Sequence, residues 1–463
     1  MIAAVDGWMA ANRERIFAEL LGFISKPSVS TDPAYAAGMA AAADVLEERL
    51  RRIGMHNVQR LNAGGHDCVY GSWLGAPGKP TVLVYGHYDV QPPDPLEQWE
   101  TPPFEPTIRD GRIHARGASD DKSPLWIAVS GMEAWLAVTG GLPVNVKLLL
   151  EGEEEVGSRT LPAIMAAHRE LLTADVLISA DGGRWRPGTP TINTNSRGNI
   201  GCEITVRTAD TDLHSGRYGG PVGNAAMVLA RLLATLHDAE GRIAVAGFMD
   251  GLKRPSNADF ASMAALRFDE AAFFAEIGAR PGAIEPGVQL LESLWLRPTV
   301  EVNGLWGGYQ GPGGKTVIPR EAHAKLTCRL GPGQEPGHAM AALEAHLRAH
   351  LPDWAELAME RGRGGSAAYV VPDDDPFLLA VEGVIAEVHG SKPLRVGVGG
   401  TLPISAMAKD VLGLETVMLS SAIADERILA PPEGFRISSF DDGLKAWVRA
   451  LDAFGCQKTT ITR

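Results

Sequence analysis

The chain has little of what marks several protein classes. It has four cysteines in 463 residues, Cys68, Cys202, Cys328 and Cys456, far apart and with no CxxC pair. That argues against a disulfide framework and a thiolate zinc site, and fits a reducing compartment. No apolar run reaches about 18 residues, so no membrane span is expected. Basic residues are not in excess: 43 Lys and Arg stand against 56 Asp and Glu, a formal net charge of −13. Nucleic acid and anionic membrane are therefore not expected partners, because both need a basic face. Repeats and low-complexity tracts are absent, and 45% hydrophobic with 21% charged residues is the balance of a globular protein rather than a disordered one. The opening MIAAVDGWMAANRERIFAELLGF carries acids and an arginine and has no basic start. It reads as an amphipathic helix rather than a signal peptide, and the expected location is cytoplasmic.

The length suggests two to four domains. Helices are expected over about 3–24, 36–53 and 123–138. TVLVYGHYDV (81–90), VNVKLLLEGEEE (144–155) and VLISAD (176–181) are apolar runs that end in polar residues, which is the pattern of buried strands opening into loops. Strands alternating with helices predict an α/β fold: a mixed, mostly parallel sheet flanked by helices. Residues 91–106, rich in Pro and Trp, predict a long ordered loop. The pattern changes near 197. NIGCEITVRT (199–208) and KLTCRLGPGQ (325–334) alternate like half-exposed antiparallel strands, with helices near 222–239 and 337–350. The reading is a first α/β segment over 1–196, an inserted α+β domain over 197–367, and a return of the α/β domain over 368–463.

In parallel sheets ligands gather beyond the strand C-termini, and three of these runs end on possible metal ligands. His87 and Asp89 are two apart and share a face in extended backbone; the alternative is a turn with a local hydrogen bond. Asp120 and Asp121 precede a helix, where capping is the alternative. Glu151, Glu153, Glu154 and Glu155 crowd one segment, as a solvated turn or as a ligand and a base. Asp181 ends the next strand. Together they supply one His and several carboxylates but no Cys, a donor set suited to Zn²⁺, Mn²⁺ or Co²⁺ in a hydrolytic site.

The segments GHYDVQP, ARGASDDKS, EGEEEVGS, SADGG, TDLHSGRYGG, KTVIP and CRLGPGQEP resemble the M20 metallopeptidase family, in the right order and over essentially the whole chain. The similarity is greatest to its carnosinase and glutamate carboxypeptidase-like dipeptidase branch. The resemblance implies a two-metal hydrolase, with one or two Zn²⁺ per chain, that cleaves the amide bond of a dipeptide or N-acyl amino acid. By position, His87 and Asp181 would hold one metal, Asp120 would bridge, and Glu155 would hold the second. Glu154 would be the general base for a metal-activated water, and Asp89 would orient His87. The inserted domain would be a lid that also makes a homodimer. From it His214 would reach the partner's site to steady the oxyanion. Arg329 and Thr316 would hold the substrate's carboxylate end, and Gly399, Gly400 and Thr401 would offer a glycine loop to substrate.

One position departs from the family pattern. The family has a further His ligand near the C-terminus in a segment like AHAPNE; here the stretch is ADERILAPPEGF, with Leu429 where the His should stand, Pro432 for the Asn, and Glu433 retained. Asp425, Glu426 or Glu433 could substitute, or the enzyme could work with one tight and one weak metal. A metal-supported enzyme with altered chemistry and a non-catalytic binding subunit are the remaining alternatives.

Overall fold

The structure, a computed structural model, describes residues 1–282, 285–362, 365–427 and 431–459. Leu429 lies outside the described residues. Two compact units are present: Met1–Thr194, Val371–Val396 and Pro403–Arg463 make the first, and Asn195–Val370 with Gly397–Leu402 the second.

The first unit is built on a six-stranded sheet. Its strands are β1 (His56–Leu61), β2 (Cys68–Trp73), β3 (Thr81–His87), β4 (Asn145–Glu151), β5 (Val176–Ser179) and β6 (Thr416–Met418), in the spatial order β1-β2-β4-β3-β5-β6. The pairings of β3 with β4, β3 with β5 and β5 with β6 are parallel; β1 and β2 add an antiparallel edge. This is the expected mixed, mostly parallel sheet flanked by helices. Every residue of β3 and β4 is buried, which is why both read as unbroken apolar runs rather than alternating ones. The strands are shorter than those runs: β3 stops at His87, β4 at Glu151 and β5 at Ser179. His87 and Glu151 are therefore the last residues of their strands, while Asp89, Glu153–Glu155 and Asp181 sit in the loops beyond.

The flanking helices are α1 (Ile2–Ile24), α2 (Ala36–Arg52), α3 (Ser123–Thr139), α4 (Pro376–His389) and α5 (Ile437–Gly455). Proline opens α3 and Gly140 ends it in the left-handed conformation, the usual start and stop chemistry. Residues Ser123–Trp135 of α3 are buried all round, and the helix packs against α1 and α5. Gly131 permits the second contact, since a Cβ there would lie 2.9 Å from the Trp447 Cβ. α5 buries Phe440, Leu444, Trp447, Val448 and Leu451, a three-to-four spacing that makes one apolar face. Each such side chain contributes about 1.5–3 kcal/mol when fully buried. Residues 91–106 form a loop with one short turn at Leu96–Gln98, held by the Trp99 indole donating to the Pro93 carbonyl at 2.6 Å.

The second unit holds a four-stranded antiparallel sheet, Thr299–Gly307, Glu321–Leu330, Gly198–Arg207 and Glu356–Arg361 in that spatial order. Gly198–Arg207 alternates buried and half-buried residues along its length, as a sheet covered on one face does. Helices Ala225–Ala234 and Pro336–His350 join a core of Ile204, Val206, Leu229, Leu326 and Leu343. Among the described residues no helix is long and apolar enough to cross a membrane.

Candidate metal centre

β3 delivers the His87 ring, wholly buried, at its last position. Its neighbour Gly86 has no room for a side chain: a Cβ would fall 2.8 Å from Asp121 Oδ2. That oxygen instead accepts the His87 backbone N–H at 3.1 Å. Asp120 and Asp121 lie in non-helical backbone just before α3. Neither caps α3, whose N-cap position is Lys122 and receives no side-chain cap bond. Asp120 is free to turn its carboxylate inward, with Oδ1 3.0 Å from His87 Nε2. Beyond β4 the chain makes a turn at Glu154–Val156. The Asp89 carboxylate accepts the N–H of Glu154 at 3.2 Å and of Glu155 at 3.1 Å. His87 Nδ1 meets the Asp89 backbone carbonyl at 3.0 Å, with the Asp89 carboxylate at 3.5 Å. Asp89 thus fixes both the imidazole and the glutamate turn, and the second of these contacts was not expected from the sequence.

The result is two groups that share His87. Ligand atoms of His87, Asp120 and Asp181 lie within 4.8 Å of one another, and so do those of His87, Glu154 and Glu155. Burial, followed by the like charges of Asp181, Asp120 and Asp89, pushes the Glu154 carboxyl up to about 8. Burial and Asp120 push Glu155 to about 9, and burial and Asp120 push Asp181 to about 6. Burial alone would lower His87, but hydrogen bonds to Asp120 and Asp89 outweigh it and raise its pKa well above the usual value. The protein has gathered acids that cannot all ionise together unless positive charge is supplied. A single imidazole among oxygen donors, with no thiolate, fits hard or borderline divalent cations.

A second layer holds this cluster in place. Glu433 is fully buried and its carboxylate accepts four backbone or guanidinium donors. Oε2 takes Arg116 Nη1 at 2.9 Å and Gly117 N at 2.8 Å; Oε1 takes Ser119 N at 2.7 Å and Asp120 N at 3.2 Å. Glu426 accepts from Ser119 Oγ at 2.6 Å, Ile423 N at 2.9 Å and Arg436 N at 3.0 Å. Asp425 pairs with Arg436 and, at 3.3 Å, with Arg112. The three acids that could have substituted for the absent histidine are all engaged elsewhere, and none joins either ligand group. Gln91, unremarked in the sequence, donates to Glu155 Oε2 at 2.7 Å. Glu433 moulds the backbone around Asp120, so Glu433→Gln is expected to weaken metal binding about 10- to 100-fold. Calorimetric metal titration checks this; an unchanged affinity would rule the role out.

The remaining candidate residues lie in the second unit as two small groups. His214 Nδ1 accepts the Gly216 N–H at 3.1 Å, and its Nε2 is 3.4 Å from Thr316 Oγ1. Arg329 Nη1 donates to Thr401 Oγ1 at 2.8 Å. Arg197 holds the glycine loop by donating to the Gly399 carbonyl from Nε at 2.7 Å and to the Gly400 carbonyl from its backbone N–H at 3.1 Å.

Residues 83–453 match the profile of peptidase family M20/M25/M40. The chain is 29% identical over 402 residues to the human Beta-Ala-His dipeptidase, covering 84% of this chain and 78% of that one. It is 26% identical over 464 residues to the Cys-Gly metallodipeptidase DUG1 of Saccharomyces cerevisiae, covering 96% of each. Among solved structures it superposes on an M20 family metallo-carboxypeptidase from Sulfolobus solfataricus with a TM-score of 0.84 and 29% identity, over 96% of this chain and 99% of that one.

Proposed function

The chain belongs to peptidase family M20/M25/M40, and from that premise we propose that it hydrolyses the amide bond of a dipeptide or N-acyl amino acid in a metal-dependent reaction. The observation that carries this reading is the convergence of His87, Asp120, Asp181, Glu154 and Glu155 beyond the strand ends. In the proposed site His87, Asp181, Asp120 and Glu155 would hold the cations, His87 and Asp181 on one side, Glu155 on the other and Asp120 shared between them. Divalent cations bound there supply Lewis acidity to the scissile carbonyl and lower the pKa of the attacking water. Glu154 takes the proton from that water and returns it to the leaving amine. Asp89 keeps Glu154 in place through the backbone N–H it accepts. His214 steadies the oxyanion, Arg329 and Thr316 hold the substrate carboxylate, and Gly399, Gly400 and Thr401 line its path. The second unit serves as the lid and as the surface of a homodimer. Zn²⁺ is the proposed ion, with Mn²⁺ and Co²⁺ as alternatives the donor set also suits. A cytoplasmic location is supported by four free cysteines, three of them buried. A panel of dipeptides and N-acyl amino acids, with each metal supplied in turn, tests the reading; no turnover by metal-loaded protein on any of them would overturn it.

One tight and one weak cation is favoured over two equivalent ones. Leu429 cannot ligate, and Asp425, Glu426 and Glu433 are all committed to other partners. Leu429→His is expected to tighten the second cation by at least about tenfold, since even outer partners of a site are worth 10- to 100-fold. The check is metal per chain retained through dialysis, which should move from near one towards two. Retention unchanged by the substitution would show that position 429 does not face the second cation.

A further inference from the structure

Arg197 is half-buried, directly after the strand Thr191–Ser196, and every acceptor it meets is a backbone carbonyl. Nε donates to Gly399 O at 2.7 Å; Nη1 donates to Ser293 O at 3.4 Å and to Arg297 O at 3.2 Å. Its own N–H is shared between Val398 O at 3.2 Å and Gly400 O at 3.1 Å. One residue thus ties the glycine loop to the helix Leu290–Trp295 and the chain just beyond it. The fit is close: a Cβ on Gly399 would lie 2.7 Å from Leu294 O and 3.3 Å from Arg197 Nη2. Carbonyl dipoles fix a guanidinium but leave its charge whole, whereas a buried arginine is ordinarily paired with an acid. Burial and the nearby Arg329 hold Arg197 down to about 10, and burial lowers Arg329 as well. Glu301, which partly offsets this, is exposed and bonds to neither guanidinium. Arg329 donates to the Thr401 hydroxyl, in the same loop. All of these residues belong to the second unit. Two guanidiniums without an acid, on one loop of a chain whose net charge is −13, leave positive charge for an anion from outside.

We propose that Arg197 is a positioning residue for carboxylate recognition. It seats the glycine loop, and Thr401 with it, so that Arg329 meets the free carboxylate of the substrate. Its own charge, uncancelled in a half-buried site, adds to the pull on that anion. Because Nε and Nη1 are spent on the backbone, Arg197 acts through the loop and through its field. The inference rests on the assignment of Arg329 and the glycine loop to substrate.

Kinetics of the metal-loaded wild type, Arg197→Gln, Arg197→Lys and Arg329→Gln on one dipeptide and on its C-terminal amide test this. The wild type is expected to favour the acid over the amide by at least about tenfold in kcat/KM, the worth of a charge-assisted hydrogen bond. Arg197→Gln should raise KM for the acid by about tenfold or more and erase most of that preference. Its kcat should fall far less, and its metal per chain should not change. Arg197→Lys keeps the charge but cannot span three carbonyls, so it should restore only part of the preference. If no peptide is turned over, the same comparison read as Kd by calorimetry decides the matter. A preference lost in Arg329→Gln but intact in Arg197→Gln would overturn this inference alone. A preference intact in Arg329→Gln, or absent from the wild type, would overturn the assignment beneath it as well. An equal loss on acid and amide in Arg197→Gln, with a lower melting temperature, would reduce Arg197 to a support of the fold and also sink the proposal.

Discussion

Glu154→Gln is expected to lower kcat by about 10²–10⁴-fold, the range that a positioned general base contributes, with little change in KM. Glutamine keeps the size and the amide N–H that Asp89 holds at 3.2 Å, but its side chain cannot take a proton. The neighbouring Glu155→Gln separates the two carboxylates, because losing a ligand should lower metal content as well as turnover. Steady-state kinetics with metal analysis of both variants reads the difference. A Glu154→Gln enzyme within tenfold of the wild type would place the base elsewhere.

Removing metal is expected to lower the melting temperature, and to do so more at pH 8.5 than at pH 6. In the metal-free fold, burial and mutual repulsion hold Glu154 up to about 8 and Glu155 up to about 9. In the unfolded chain a glutamate titrates near about 4.3. An acid with the higher pKa in the folded state contributes stability that is complete below its unfolded pKa. That stability is lost as pH rises through the folded value. Raised His87 works in the same direction, so metal-free stability should fall between about pH 4.5 and 9. Cations reverse this twice over, by offsetting the repulsion and by binding only the folded state. At a metal concentration about a thousand times Kd the second effect is about 4 kcal/mol, which for a chain of this size is about 4 °C. Scanning calorimetry of chelated and metal-loaded protein at the two pH values checks it. A gap that is the same at both, or wider at pH 6, would contradict this account of the acids.

The main outline was legible because two kinds of signal were strong. Continuous Val and Leu runs of this length read as strands covered on both faces, and their polar ends marked where a ligand would sit; His87, Asp120, Glu154, Glu155 and Asp181 converge accordingly. The single-residue alternatives, such as capping by Asp120 or Asp121, were reasonable by local rules and gave way to a backbone that is not helical there. What escaped was long-range. Glu433 and Glu426 were visible as acids near a missing ligand, and their charge made replacement one of the open alternatives. Their geometry gives them another task, accepting N–H and O–H donors more than 300 residues away in sequence. Gln91 and Arg197 had no signal at all, because a neutral amide or a lone arginine has no spacing that betrays its partner.

The link between Glu433 and the backbone of residues 117–120 also orders events in time. A ribosome makes the histidine and all the carboxylates of the metal cluster within the first 181 residues, yet the carboxylate that shapes the Asp120 segment is added some 250 residues later. Until then the growing chain carries the ligands without the strut that sets one of them. Full shaping of the metal centre is thereby tied to synthesis of the chain as far as Glu433.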